Sequence, residues 1–250
     1  MHTLSQLFLQ STQFYTIVLI IVVGLVFIDR RIFLRALSLM LFSMVFNAFL
    51  KSLFKIPLKA HFKRDGYAFP SGHASTSTTF YGYLIYRFKN PLLTLIGVIL
   101  MLGLSWALVH NHYHDWIDVL AGVGFSILLI LVFHWLETTS LFKDNFMLLT
   151  LLMTVAAYGL IKISPAITPH TAIPLGALIG VSLTAILEKM FGYQSLHPII
   201  DFLIIIIGML GLQALFAKLG LTSYTYTVLE YGLISFWATY SPHIFAKLKR

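Results

Sequence analysis

No cysteine occurs among the 250 residues, which excludes disulfides and thiolate metal sites and leaves the redox compartment open. Charge is almost as scarce: Asp, Glu, Lys and Arg together make 10%, against 58% hydrophobic residues and a mean hydropathy of +0.87. A soluble domain with so few charges would not stay in solution, so the bilayer is the natural solvent. Acid is the scarcer sign, with 9 Asp and Glu against 17 Lys and Arg and a net charge of +8. That excess sits in short loops between apolar runs, which fits membrane topology and anionic lipid head groups rather than nucleic acid. A small-residue cleavage pattern is also missing after the first apolar run, Phe14 to Ile28. That run therefore reads as a retained span rather than a signal peptide.

What is abundant is hydrophobic length. Each helical crossing takes about 20 mostly apolar residues, so the chain has room for eight or nine. Spans are expected at 13–29, 32–50, 71–88, 92–111, 116–136, 145–163, 170–188, 198–217 and 225–246. The expected fold is all-α, a polytopic transmembrane bundle of about 8–9 helices. Arg35 and Glu230 lie inside the second and ninth spans. With nine spans, the 51–70 and 110–118 loops fall on one side of the membrane. The other side receives Arg30, Arg31, Arg87, Lys89, Lys143, Lys189 and the terminal Lys-Leu-Lys-Arg. Positive-inside logic makes that second side cytoplasmic and the first extracytoplasmic.

The one long polar interruption, Lys51 to His73, ends in Pro70-Ser71-Gly72-His73. Pro70 suits a helix start, Ser71 is a good cap, and Gly72 allows close approach to the backbone. The free N–H groups of such a helix end, with the dipole behind them, form an anion site. His73 sits in the first turn, where it can hand a proton to a leaving oxygen. Alone, the tetrapeptide is equally a serine-capped helix start with an interfacial histidine. Some 40 residues on comes His110-Asn111-His112-Tyr113-His114-Asp115-Trp116-Ile117-Asp118. His114 and Asp118, four apart, share a helix face. Such a carboxylate can fix the imidazole tautomer and free the other nitrogen to attack, or simply make a structural hydrogen bond. A metal site from His110, His112, His114, Asp115 and Asp118 is disfavoured, because on a regular helix His112 points away from the other two histidines.

Taken together, Lys51, Pro70-Ser71-Gly72-His73 and His114-x3-Asp118 followed by Val-Leu-Ala-Gly resemble the type 2 phosphatidic acid phosphatase superfamily. Its motifs are K-x6-R-P, P-S-G-H and S-R-x5-H-x3-D. The resemblance covers Lys51 to Gly122 and the surrounding helices. It implies a catalytic membrane core over 1–136 and additional transmembrane helices over 137–250. The implied activity is a metal-independent, cofactor-free lipid phosphate or diphosphate phosphatase, with a phosphohistidine on His114. In that scheme His73 is the general acid and Asp118 orients His114. Lys51, Ser71 and Gly72 would hold the phosphate. The chain departs from the pattern where the two motif arginines fall on Leu58 and Leu108, and the adjoining proline and serine on Lys59 and Ala107. An arginine-to-leucine change removes both charge and fork geometry. Lys59, Lys63, Arg64 and His110 are the candidate replacements. Undecaprenyl diphosphate, phosphatidylglycerol phosphate, phosphatidic acid and lipid A all fit as substrates at the outer face of a bacterial-type inner membrane. The alternatives are a lipid phosphotransferase of the same fold and an inactive protein that binds or transports lipid phosphate. Transport would use Asp201 or Glu230.

Overall fold

The computed structural model describes residues 2–59, 66–164 and 169–248. Ten α-helices run through them: α1 His2–Gln10, α2 Phe14–Val23, α3 Arg30–Phe54, α4 Gly72–Phe88, α5 Pro91–His110, α6 Trp116–Thr138, α7 Phe146–Ile163, α8 Pro169–Phe191, α9 Pro198–Leu219 and α10 Tyr224–Leu248. A π-helical turn, Gly24–Ile28, extends α2. The nine hydropathy runs correspond in order to α2 through α10, and α1 is an addition. Its nine residues are too short and too polar for a hydropathy signal.

Local chemistry sets the ends. Asp29 caps α3 by accepting from Ile32 N at 2.9 Å, and Asn90 caps α5 ahead of Pro91. Asp115 and Asp118 form a reciprocal capping box that starts α6. Lys55 and Lys89 end α3 and α4 in the left-handed conformation.

Six described helices are long and apolar enough to cross a membrane: α3, α5, α6, α7, α8 and α9. A seventh span is available if α1 and α2, which meet at 52°, count as one broken crossing. The protein is thus a polytopic helical membrane protein. Two of the nine expected spans, α4 and α10, are less apolar because protein rather than lipid surrounds them. α4 buries Ser75, Ser77, Thr78, Thr79 and Tyr83, and α10 buries Ser235, Thr239, Ser241 and His243. Hydroxyls at these contacts bond to neighbouring backbone, as in Ser126 of α6 to Ser75 O of α4 and Ser235 of α10 to Ala177 O of α8.

α3 is the axis of the bundle. Its buried residues Phe33, Leu37, Met40 and Val45 share one core with Phe80 and Tyr83 of α4, Phe133 of α6, Leu149 and Met153 of α7, and Leu178 of α8. α10 lies against α8 at the closest range: a Cβ on Gly180 would stand 2.3 Å from Gly232 O, and one on Gly176 2.3 Å from Val228 O. α3, α4 and α6 run so that the carboxy end of α3 meets the amino ends of α4 and α6. At the other end, Arg35 of α3 and Arg87 of α4 both pair with Glu137 of α6. The two ends of α3 are therefore two separate polar centres, about 24 Å apart from Arg35 to Lys51 by helical rise.

Candidate active site

α3 ends on Lys51, and the chain then turns back on itself. Leu58 N donates to Gly66 O at 3.0 Å and Ala68 N to Ile56 O at 2.8 Å, so 55–59 and 66–70 run antiparallel. Lys51 Nζ reaches across to donate to the carbonyls of Tyr67 (2.6 Å) and Ala68 (3.0 Å). One turn earlier on α3, buried Asn47 donates from Nδ2 to Pro70 O at 3.4 Å. These contacts deliver the chain to Ser71, whose side chain accepts from Ala74 N and starts α4. The N–H groups of Gly72 and His73 are then the first of the helix and have no helical acceptor. Ser71 itself is fully buried, while the His73 side chain is exposed.

The second half of the site hangs from α5. After His110 the chain leaves the helix, His112 adopts a left-handed backbone (φ 57°), and α6 begins only at Trp116. His114 therefore precedes the helix instead of sitting on it as the four-residue spacing suggested. The Leu108 carbonyl holds this turn, accepting from Tyr113 N at 2.9 Å and His114 N at 3.3 Å. His114, 8% exposed, brings Nδ1 to 3.2 Å from Asp118 Oδ2, which also accepts from Asp115 N at 3.1 Å. A proton on Nδ1 donated to that carboxylate leaves the Nε2 lone pair free.

The halves lock together where α4 begins. Ser71 N donates to Asp118 O at 2.9 Å, joining the start of α4 to the first turn of α6. Gly122, one turn on, makes room for it: a Cβ there would stand 2.7 Å from Ser71 O and 3.3 Å from Ser75 N. Gly124, by contrast, has open space around it. It lies away from the α4 contact. The lock brings His73 and His114 within electrostatic reach of each other, and Lys51 within reach of both and of Asp118. His114 lies in the 111–115 turn, outside the spanning helices. Burial holds its pKa below the ordinary 6.5, with the Lys51 and His73 charges adding to the effect, although the Asp118 hydrogen bond and charge pull the other way.

The remaining expected phosphate ligands are dispersed. Lys59 Nζ is engaged with Asp115 Oδ1 at 2.7 Å. It clamps the segment after α3 onto the residue that follows His114. His110 stacks on Trp106 at 4.8 Å between ring centroids, on the face of α5 that also carries Gly103, against which Phe8 of α1 packs. Lys63 and Arg64 lie outside the described residues. The two leucines at the motif arginine positions are structural: Leu108 is 1% exposed among Ala74, Leu104 and Val119, and Leu58 packs under Gly66. Among the described residues, no three His, Asp or Glu side chains are placed to hold one metal ion. Asn47 was missed in the sequence reading. Its signal there was the four-residue step back from Lys51, which puts both on one helix face.

Asp201 and Glu230 separate from this site. Asp201 is 3% exposed and accepts from Ser195 Oγ and Leu196 N at the start of α9, a capping role. Glu230 lies on α10 beside Tyr226 and Tyr231.

Residues 32–141 match the family model described as the PAP2 superfamily. No curated protein and no solved structure matched the chain. The matched stretch runs from the first turn of α3 to just past the end of α6 and contains Lys51, Asn47, Ser71, His73, His114 and Asp118.

Proposed function

With residues 32–141 of this chain matching the PAP2 superfamily model, we propose that the protein is an integral-membrane phosphatase of lipid phosphates or diphosphates that works through a phosphohistidine. The observation that carries this reading is the convergence of Lys51, His73 and the His114–Asp118 pair around the start of α4. His114 Nε2 attacks phosphorus, and the bond from phosphorus to the lipid alkoxide or leaving phosphate breaks. His73 gives its proton to that leaving oxygen. It then accepts a proton from the water that attacks the phosphohistidine, which releases inorganic phosphate and restores His114. Asp118 holds the tautomer and stabilises the imidazolium. The Gly72 and His73 N–H groups and the remaining Lys51 N–H bind the equatorial oxygens, where charge develops.

Ser71 supports the anion site by capping rather than by direct contact, since its backbone N–H is spent on Asp118 O. The cationic residues of the opposite end, Arg30, Arg35, Arg87, Lys143 and Lys189, support a site on the extracytoplasmic face of a bacterial-type inner membrane. The lipid tail then enters from the outer leaflet, past the exposed Trp116, Ile117 and Leu120 of α6. Residues 137–250 serve as the scaffold against which α3 is held, and the reaction needs no metal.

The test is phosphate release from a lipid diphosphate by purified protein. His114→Ala is expected to abolish it, and vanadate to inhibit it where a chelator does not. A second reading, a protein that binds lipid phosphate without cleaving it, draws on Leu58 and Leu108 replacing the two clamping arginines. Wild-type protein that binds the lipid diphosphate and releases no phosphate would establish that reading in place of the first.

A further inference from the structure

The polar centre at the far end of α3, α4 and α6 has no part in the chemistry above, yet it is an open cavity of about 400 Å³. Its walls are Arg35, Arg87, His134, Glu137, Thr138, Lys143 and Asp144. Three cations face two carboxylates, and one of those carboxylates is already occupied within the protein. Glu137, 6% exposed, takes Arg35 Nη1 at 2.9 Å and the Tyr83 hydroxyl at 3.0 Å on Oε1. Its Oε2 has no hydrogen-bond donor, only the Arg87 guanidinium at 3.6 Å. The carboxylate thus aims two guanidiniums without satisfying either fork. A guanidinium carries five N–H donors, so most of those of Arg35 and Arg87 remain for another acceptor. Lys143, on the exposed 139–145 connection, adds a third cation at the rim. His134 is occupied by the Tyr86 hydroxyl and shapes one wall.

Two further facts fix the class of ligand. The cluster lies at the ends of spanning helices, at the depth of lipid head groups. Exposed Leu131, Val132 and Trp135 of α6 continue the same end of the helix on its lipid-facing side, a surface suited to acyl chain. We propose that this cavity binds a phosphate oxyanion, that of a phospholipid head group from the leaflet opposite the catalytic residues. Arg87 and Lys143 hold its oxygens, and Glu137 keeps the two guanidiniums in position. The same oxyanion chemistry could be offered by free phosphate, and the continuous apolar surface beside the cavity favours the lipid.

The experiment is calorimetric titration of the purified full chain, in a nonionic detergent, with short-chain phosphatidylglycerol and separately with inorganic phosphate. Arg87→Gln and Lys143→Gln are each expected to weaken the lipid by about tenfold or more, the loss of one charge-assisted hydrogen bond. Inorganic phosphate is expected to bind far more weakly than the lipid. Lys143 is exposed in a connecting segment, so its variant tests the site even where Arg87→Gln fails to fold. Equal affinity for the lipid in wild type and Lys143→Gln overturns the site. Inorganic phosphate binding as tightly as the lipid, with the same dependence on Lys143, overturns the lipid assignment. Because the readout is binding at a place remote from His114, neither result bears on phosphatase activity.

Discussion

At the scale of single residues, the proposed mechanism makes His114 the source of the acid limb of the pH profile. Attack needs the neutral imidazole, and burial with nearby Lys51 holds its pKa below 6.5. The neutral form is therefore complete above that value, so the acid limb of kcat/KM lies at the lowered pKa of His114, while loss of the proton that His73 must donate gives the alkaline limb. The same sign applies to folding: the contribution of neutral His114 is present above pH 6.5 and lost on acidification. A rate profile with its acid midpoint above 6.5 would contradict this. Asp118→Asn removes the interaction that raises the pKa, so the acid limb moves further down, while loss of tautomer control slows the reaction by about two decades or more. Lys59 makes the contrasting case. Its pairing with Asp115 is largely solvent-exposed, and such pairs contribute ~0–1 kcal/mol. Lys59→Ala is expected to leave KM within about threefold of wild type, whereas Lys51→Ala costs about 10² in rate as an oxyanion contact is lost. A KM raised tenfold by Lys59→Ala would instead make Lys59 a phosphate ligand.

At the scale of elements, the decisive contact is α4 against α6. Gly122→Ala places a methyl group against backbone, with Ser71 O 2.7 Å away, so α4 must shift and take the Ser71–Asp118 hydrogen bond with it. The expected cost is about 1–3 kcal/mol, with a larger loss of activity than of stability, read from phosphate release against thermal unfolding of the same variant. At the other end of the same helices, Glu137→Leu leaves Arg35 and Arg87 facing each other without their carboxylate. Removing one member of a buried ion cluster typically costs about 3–5 kcal/mol, measurable as a lower unfolding midpoint in detergent. The helices themselves were readable from hydrophobic length, because each apolar run had to satisfy its own backbone hydrogen bonds internally. The sequence assigned crossings to α4 and α10 as well, but their Ser, Thr and Tyr content leaves them outside the six described helices long and apolar enough to cross, and packing buries those hydroxyls against neighbouring helices. α1 escaped the hydropathy reading because it is short, with Phe8 and Leu9 packing on α5.

At the scale of the whole molecule, the carboxy-terminal helices are held to the rest through α7 and α8 on α3 and through a second core in which Val22 of α2 meets Ile205 of α9 and Ile234 of α10. The contact of α8 with α10 leaves no space for a side chain at Gly176 or Gly180 and little at Gly232. Gly180→Val would force the two backbones apart at a cost of about 3 kcal/mol. Since that contact lies outside the 32–141 stretch, the rate per folded molecule should stay near wild type while the melting temperature falls. A loss of rate with unchanged melting temperature would show that α8 and α10 shape the catalytic end directly.

The sequence by itself determined the solvent of this protein, its helical class, and the presence of Pro70-Ser71-Gly72-His73 and His114-x3-Asp118, because composition and local motifs need no partners to be read. It could not decide which cations serve the site. Lys59 and His110 were candidate replacements for the two motif arginines, and in the fold one is tied to Asp115 and the other lies on Trp106. Nor could it reveal that Arg35, Arg87 and Glu137 form one centre, since they come from three helices and meet only through packing. Only the tertiary structure assigned those charges, because a long flexible side chain goes to whichever partner the fold brings within reach.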